Sequence, residues 1–483
     1  MENKHVYALL ALIFILVFIL SSFILFFKPL HGEAYFPLRY VEHIKENFLP
    51  IIYDDLSYGG RPLEEPFIFY YLLAFFSLIS NIFIKVIPAL LVASLVLITF
   101  LISRMFISEK LSLIPALIAG FIPIMFKINL ISSNVLAFPI LFLLLYSFAK
   151  IEKPRFLYLF LFLSFILPLT SFLSIFFIIS ILVYLLIIGV EKKKLSGLER
   201  EALLFSLFVN IFLTLFLFRN SLLAYGPAFI WQNIPSSILA DFFKEFALIK
   251  TIGDIGLAGL FLGAIGFVFS FKEKKPLLLA SFLITSLIFL WFRLVPFSLG
   301  LIIFSLTLAC LSSLSLKVFF PYLKQTKFSK FKNQVLVVIL VIVILTSVVP
   351  SVIAAINFES KVSRESFKAL RFLKEEETAT ILAPYEYGQA ITFLGNKNVV
   401  DSHFLLAPSP EKRLKDISLV YISQSETLVL DIFRKYNVDY FIFDNFIRKK
   451  HGVEKLVYVR DAKCFLRVFD ENETQIYKVK NKC

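Results

Sequence analysis

Long apolar runs separated by short polar loops fill residues 6–356, and an alternation of helix and strand patterns fills the remainder. Residues 6–27 are an uninterrupted apolar run, enough for a helix to cross about 30 Å of hydrocarbon. No small-residue cleavage site follows, so the run predicts an uncleaved first span. Further runs at 84–103, 111–126, 134–149, 156–168, 172–190, 201–219, 254–271, 276–292, 294–316 and 334–356 bring the expected spans to eleven. The stretch 66–77 stays apolar for only about a dozen residues, which predicts a helix lying in or dipping into the interface. After Ala354 the pattern predicts helices over 363–376 and 425–436, strands at 378–383 and 438–444, and a hairpin of 464–469 with 474–479. The chain therefore divides into a membrane domain, 1–356, carrying a large external loop at 28–83, and a soluble α/β domain, 357–483.

One polar insert interrupts the apolar part early. From His31 to Glu65 it gathers Glu33, Glu42, Glu46, Asp54, Asp55, Glu64 and Glu65 against Arg39, Lys45 and Arg61. Residues 35–47 predict a short helix, Pro50 stops it, and Ser57-Tyr58-Gly59-Gly60 is turn chemistry. A connector needs no such structure, so the insert is the first place to look for function.

Composition fixes the class. Hydrophobic residues make up 59% of the chain, Phe alone supplies 59 residues, and the formal net charge is +14. The bases sit in blocks between apolar runs, at 104–110, 150–155, 192–200, 272–275 and 317–332, which excludes a nucleic-acid partner. If 66–80 does not cross, all these blocks fall on one side, and the positive-inside rule makes that side cytoplasmic. The N-terminus is then cytoplasmic, the loops 28–65, 127–134 and 220–253 and the C-terminal domain are external, and the protein is integral to the cytoplasmic (plasma) membrane.

Candidate chemistry is sparse. Three cysteines and five histidines show no metal-ligand spacing and no disulfide framework, and no Gly-rich loop points to a nucleotide. Pro168 to Ser171 marks a helix corner, Asp401-Ser402-His403 a loop after a strand without a nucleophile elbow, and Asn472-Glu473-Thr474 a sequon in the hairpin. Arg293, between two apolar runs, has no acid beside it in sequence. A cation there either snorkels to headgroups or meets an anion such as a lipid phosphate.

Glu33 two residues before Tyr35, Leu56-Ser57-Tyr58 with Gly59-Gly60, Phe292-Arg293, and Pro384-Tyr385-Glu386-Tyr387-Gly388 occur in an order that resembles the oligosaccharyltransferase catalytic subunit, a membrane glycosyltransferase of the GT-C class. The likeness runs over nearly the whole chain, although the family carries more than eleven spans, the shortfall lying near 190–220. It implies a GT-C-like polytopic helical fold with an extracytoplasmic α/β domain. It also implies transfer of a sugar or glycan from a polyprenyl (dolichyl) phosphate-linked donor to an external protein or glycan acceptor, with membrane lipid as a further partner.

On that resemblance Glu33 takes the place of the catalytic first-loop aspartate and Arg293 that of the donor-phosphate arginine. Tyr385, Glu386, Tyr387 and Gly388 take the place of the acceptor-binding WWDYG signature, with both tryptophans replaced. Asp54, Asp55, Tyr58 and Arg61 are auxiliary candidates. The family's cofactor is a divalent cation, Mg or Mn, and its ligand set is incomplete here. The second acidic motif maps onto Ser132 and Asn134, and a later glutamate onto the uncharged Trp231-Gln232-Asn233. A transferase should bring Glu33 and Arg293 to one external cavity. The alternative is a non-catalytic relative that binds a glycolipid or scaffolds an active transferase. A secondary transporter is disfavoured, for want of an internal repeat or a Gly-broken helix pair.

Overall fold

The computed structural model describes residues 3–242, 247–375, 378–460 and 463–480. It forms two compact units. The first comprises residues 1–27, 65–219 and 241–358, the second residues 28–64, 220–240 and 359–483. The boundary expected at 356/357 falls two residues later. The first external loop, assigned from sequence to the membrane domain, folds instead with the C-terminal residues, and a second loop, 220–240, joins it there.

Every expected span is a helix. They are Asn3–Phe27, Phe83–Ser103, Glu109–Gly120, Ser133–Phe148, Pro154–Thr170, Ser174–Val190, Gly197–Leu217, Leu257–Ser270, Leu277–Trp291, Phe297–Gln325 and, continuing through a π turn to Ile356, Lys332–Val343. Six helices among the described residues are long and apolar enough to cross a membrane, or seven if Leu248–Ile255 and Leu257–Ser270, bent by 83° at Gly256, count as one. The others, such as the 16-residue Ser133–Phe148, reach only about 24 Å as single helices. Ile68–Ser77 is a 10-residue helix, too short to cross.

Side chains tie the loops at one end of the bundle together. Lys274 pairs with Glu199 and Lys317 with Glu273, and Lys193 Nζ donates to the Phe271 carbonyl at 2.5 Å. At the other end Lys127 pairs with Asp254, and Ser171 Oγ donates to Asn134 at 2.7 Å. Both groupings follow the alternation of crossings expected from sequence. By the same alternation the turn carrying Arg293 opens at the second end.

Within the bundle, packing depends on small residues and on polar contacts that need no water. Gly263 and Gly266 let Leu257–Ser270 lie directly on Phe297–Gln325. A Cβ at Gly266 would come within 1.9 Å of the Leu311 carbonyl oxygen. Ser164 and Ser206 share a hydrogen bond of 2.9 Å, and Asn210 Nδ2 donates to the Ser164 carbonyl at 3.1 Å.

The second unit is built on a five-stranded sheet in which 397–398, 380–382, 440–443, 474–479 and 465–471 lie side by side in that order. Strands β1 (Tyr53–Asp54) and β2 (Arg61–Pro62) make a separate ribbon in the first loop. In the main sheet β3 (Thr380–Leu382) runs parallel to β4 (Lys397–Asn398) and to β5 (Tyr440–Phe443). The hairpin β6 (Phe465–Glu471) and β7 (Thr474–Val479) adds antiparallel to β5. Helices Arg364–Phe372, Pro410–Ile422 and Glu426–Tyr436 contribute buried residues to its core. The sequon lies in the hairpin turn, with Asn472 exposed and Thr474 only 2% exposed. Cys464, for which no pairing was legible in sequence, is disulfide-bonded, while Cys310 is free and buried.

Gly266→Leu is expected to lower stability by about 3 kcal/mol or more through overpacking. Gly189→Ala, where a Cβ meets nothing within 4 Å, should be neutral or slightly stabilising. Thermal unfolding of the two variants in detergent checks the contrast.

Candidate functional site

Glu33 sits in a single 3-10 turn, Gly32–Ala34, capped by His31, whose Nδ1 accepts from the Glu33 amide at 3.4 Å. The helix Tyr35–Asn47 follows with no break in the chain and ends at Phe48 in the left-handed region. The Glu33 side chain is 56% exposed, and its carboxylate is 4.0 Å from His31 Nδ1. Gly32 fixes where that turn goes. A Cβ on Gly32 would meet the Glu386 carbonyl oxygen at 2.4 Å, so the absence of a side chain lets the turn press against the backbone of Tyr385-Glu386. Glu33 and the 384–388 segment, far apart in sequence, thereby become neighbours.

Lys450, not singled out from sequence, completes this surface. Its Nζ donates to both carboxylate oxygens of Glu386, at 2.7 and 2.9 Å, and stands 4.6 Å from the centroid of the Tyr385 ring. Lys361 approaches the same carboxylate at 3.9 Å. Lys450 lies in the last turn of the helix Asn445–His451, within a basic run whose sequence carries no sign of which member turns inward. Beside it His451 stacks on Tyr421, and burial, reinforced by Lys450 and opposed by Glu386, lowers its pKa below the usual 6.5.

Tyr387 and Gly388 lie deeper. The Tyr387 hydroxyl donates to Asp444 at 2.5 Å, as does Ser366 Oγ. Burial and the Asp444 charge push the Tyr387 pKa well up, which keeps the hydroxyl a donor. Gly388 leaves room for the 400–401 backbone, the Val400 carbonyl oxygen lying 2.3 Å from a notional Cβ. These two residues shape the segment from within, and Tyr385 and Glu386 are its outward part.

Of the auxiliary candidates, Tyr58 and Arg61 are buried. Arg61 Nε donates to Ser57 at 3.1 Å, Nη1 to the Leu405 and His403 carbonyls, and Nη2 to Asp401 at 3.2 Å. The Tyr58 hydroxyl donates to the Asp401 carbonyl at 2.8 Å. Asp54 pairs with Arg39, and its other oxygen accepts from the Leu56 amide at 3.2 Å. Asp55 is exposed. Asp401 thus belongs to a packed network rather than to a triad, as its loop position suggested.

In the helical unit, Arg293 is part-buried in the turn after Leu277–Trp291, with a left-handed φ of 56° that few non-glycine residues adopt. Its amide donates to the Leu290 carbonyl at 3.3 Å, so the turn that presents it is closed by the helix end. Ser132 caps Ser133–Phe148 and also accepts from Asn134 Nδ2, while Asn134 Oδ1 accepts from Ser171. Where the resemblance implies metal-binding acids, the polar atoms are spent on each other. No group of three His, Cys, Asp or Glu able to hold a metal ion occurs among the described residues, and a divalent cation does not fit the side chains present there.

No family model and no curated protein matches the chain. Among solved structures, the oligosaccharyltransferase AglB from Archaeoglobus fulgidus, in complex with an inhibitory peptide and a dolichol-phosphate, aligns over 90% of this chain and 69% of its own at 14% identity and a TM-score of 0.64. Its apo form aligns over 98% and 74% at 12% identity and 0.67. ArnT from Cupriavidus metallidurans, bound to undecaprenyl phosphate, aligns over 99% and 98% at 12% identity and 0.57. The fold is therefore the polytopic GT-C membrane fold, with its C-terminal sheet domain, that the resemblance implied.

Gly32→Ala should cost about 1–3 kcal/mol by forcing the turn off the Glu386 carbonyl, and thermal unfolding measures it. A lowered folded-state pKa at His451 means that stability is whole above about pH 6.5. It is lost as the pH falls from there toward the folded pKa, because the unfolded chain takes up the proton first. Unfolding midpoints compared at about pH 7.5 and pH 5 should drop less in His451→Phe than in wild type.

Proposed function

We propose that the protein is a membrane glycosyltransferase that moves a sugar or glycan from a polyprenyl-phosphate-linked donor to an external acceptor, with an oligosaccharyltransferase-like layout. One observation carries the reading. Within a fold shared with AglB and ArnT, Gly32 holds the turn that carries Glu33, whose side chain is exposed, against the backbone of the segment that the resemblance assigns to the acceptor. Both of those proteins were solved with a polyprenyl phosphate, the chemical class of donor proposed here.

In this reading the acceptor's nucleophilic atom bonds to the anomeric carbon as the bond from that carbon to the donor phosphate oxygen breaks. Glu33 orients the acceptor and takes its proton, and the departing phosphate keeps the electron pair. Arg293 stabilises the charge that collects on that phosphate, a task suited to the planar fork of donors on a guanidinium. Tyr385 and the Glu386–Lys450 pair line the acceptor side. The uncharged Ser132 and Asn134 favour a polyprenyl monophosphate donor, whose leaving group develops less charge than a pyrophosphate and asks less of a cation. The disulfide at Cys464 supports an extracytoplasmic C-terminal domain, since such bonds persist in oxidising compartments.

The second reading, a glycolipid-binding or scaffolding relative without catalysis, is favoured by those same two uncharged residues and by the loss of both tryptophans from the signature. Purified protein assayed with polyprenyl-phosphate monosaccharides and polyprenyl-pyrophosphate glycans, with and without chelator, separates the two. A transferase should work with the monophosphate donors and withstand chelator, and Glu33→Gln and Arg293→Ala should each lower the rate by about a hundredfold or more. Failure of every donor would leave the binding role.

A further inference from the structure

We propose that a groove on the second unit, between the helix Arg364–Phe372 and the residues just after the first membrane helix, binds the phosphate of an anionic phospholipid headgroup. The groove has a volume of about 290 Å³. Leu30, Tyr35 and Phe367 form its apolar side, and Arg364, Lys368 and Arg371 its charged side. The three cations recur at helical spacing and stand exposed in one stripe, while Ser366, Ala369 and Leu370 of the same helix are buried. Tyr35 stacks on Phe367 with ring centroids 4.7 Å apart. Burial raises its hydroxyl to a pKa of about 12, so it adds no negative charge to the groove.

The site is tethered at headgroup level by its own chain. Pro29, which also lines the groove, is the second residue after Phe27, the last of the first membrane helix, and two residues span at most about 7 Å. The headgroup layer of a bilayer is itself about 5–7 Å deep on each side. A competing carboxylate is already in place at Lys368. Glu471 accepts from Lys368 at 2.6 Å, but that pair is more than half exposed, and an exchange of one solvated anion for a phosphate costs little. Basic side chains beside a lipid surface favour anionic headgroups, and an apolar wall beside them suits the glycerol and upper acyl carbons. The inference does not depend on the chain being a transferase.

Native mass spectrometry of the full chain in detergent, titrated with phosphatidylglycerol and with phosphatidylcholine, reads the site directly. Phosphatidylglycerol should bind in preference. Arg364→Ala with Lys368→Ala and Arg371→Ala should weaken it about a hundredfold, near fivefold per cation. Arg364→Lys with Arg371→Lys should retain it, and Lys412→Ala with Lys415→Ala, on another helix, should change it by less than about twofold. Equal binding of the two lipids, an unaffected triple variant that elutes as wild type, or displacement of phosphatidylglycerol by an equal concentration of inorganic phosphate would each overturn the assignment, the last by showing a free-anion site.

Discussion

The ion pair between Arg61 and Asp401 is the contact on which the second unit depends. Both side chains are 1% exposed, so neither charge has water to fall back on. Such a pair is tolerable only when the remaining donors and acceptors are also met. Arg61 reaches Ser57, His403, Leu405 and Asp401, and Asp401 accepts in addition from Ser57 at 2.7 Å, from Asn398 at 3.2 Å and from the His403 amide at 2.8 Å. The loop is thereby built into the sheet domain as one of its structural parts. Removing one partner would strand the other charge in the interior, which is why the knot fixes geometry more surely than it adds stability.

What the knot fixes is passed outward in steps. Asp401 and Val400 press on Gly388, where no side chain would fit, and the Asn398 amide holds the Gly388 carbonyl at 3.0 Å. Tyr387 is drawn inward by Asp444, and Asp444 also caps the helix that brings Lys450 to Glu386. Gly32 then seats the turn that carries Glu33 against the Glu386 carbonyl. Two glycines and two buried carboxylates thus bear on where that turn lies. The position of the Glu33 backbone is therefore a property of packing, while its side chain is more than half exposed.

Local signals carried most of the fold. Apolar run length gave all eleven helices, and Tyr35–Asn47 and the Ser57–Gly60 turn were legible because helix stop and turn chemistry are short-range. The helices Pro410–Ile422 and Asn445–His451 went unread. The first mixes polar and apolar residues without a clean stripe, and the second is only seven residues long. Long-range facts were beyond reach in a different way. Arg61 and Asp401 are 340 residues apart, and nothing in either neighbourhood names the other. Lys450 was hidden among like charges, because which base turns inward is settled by the cap at Asp444 and not by composition.

Among the described residues no carboxylate cluster able to hold a metal occurs, which bears on the donor that the proposed reading allows. Each hard divalent cation needs several charged oxygens, and the positions that the resemblance assigns to the acids hold Ser132 and Asn134, already bonded to each other and to Ser171. In the proposed reading, a pyrophosphate leaving group would place two adjacent anionic phosphates at the membrane boundary, where Arg293 is the guanidinium assigned to them. A monophosphate leaves one phosphate for one guanidinium. The left-handed turn at Arg293, costly for a residue with a Cβ, is the kind of local strain a fold keeps when one side chain must be aimed in one direction. Under the proposed transferase reading, charge balance favours a one-phosphate leaving group, with Arg293 as the cation assigned to it.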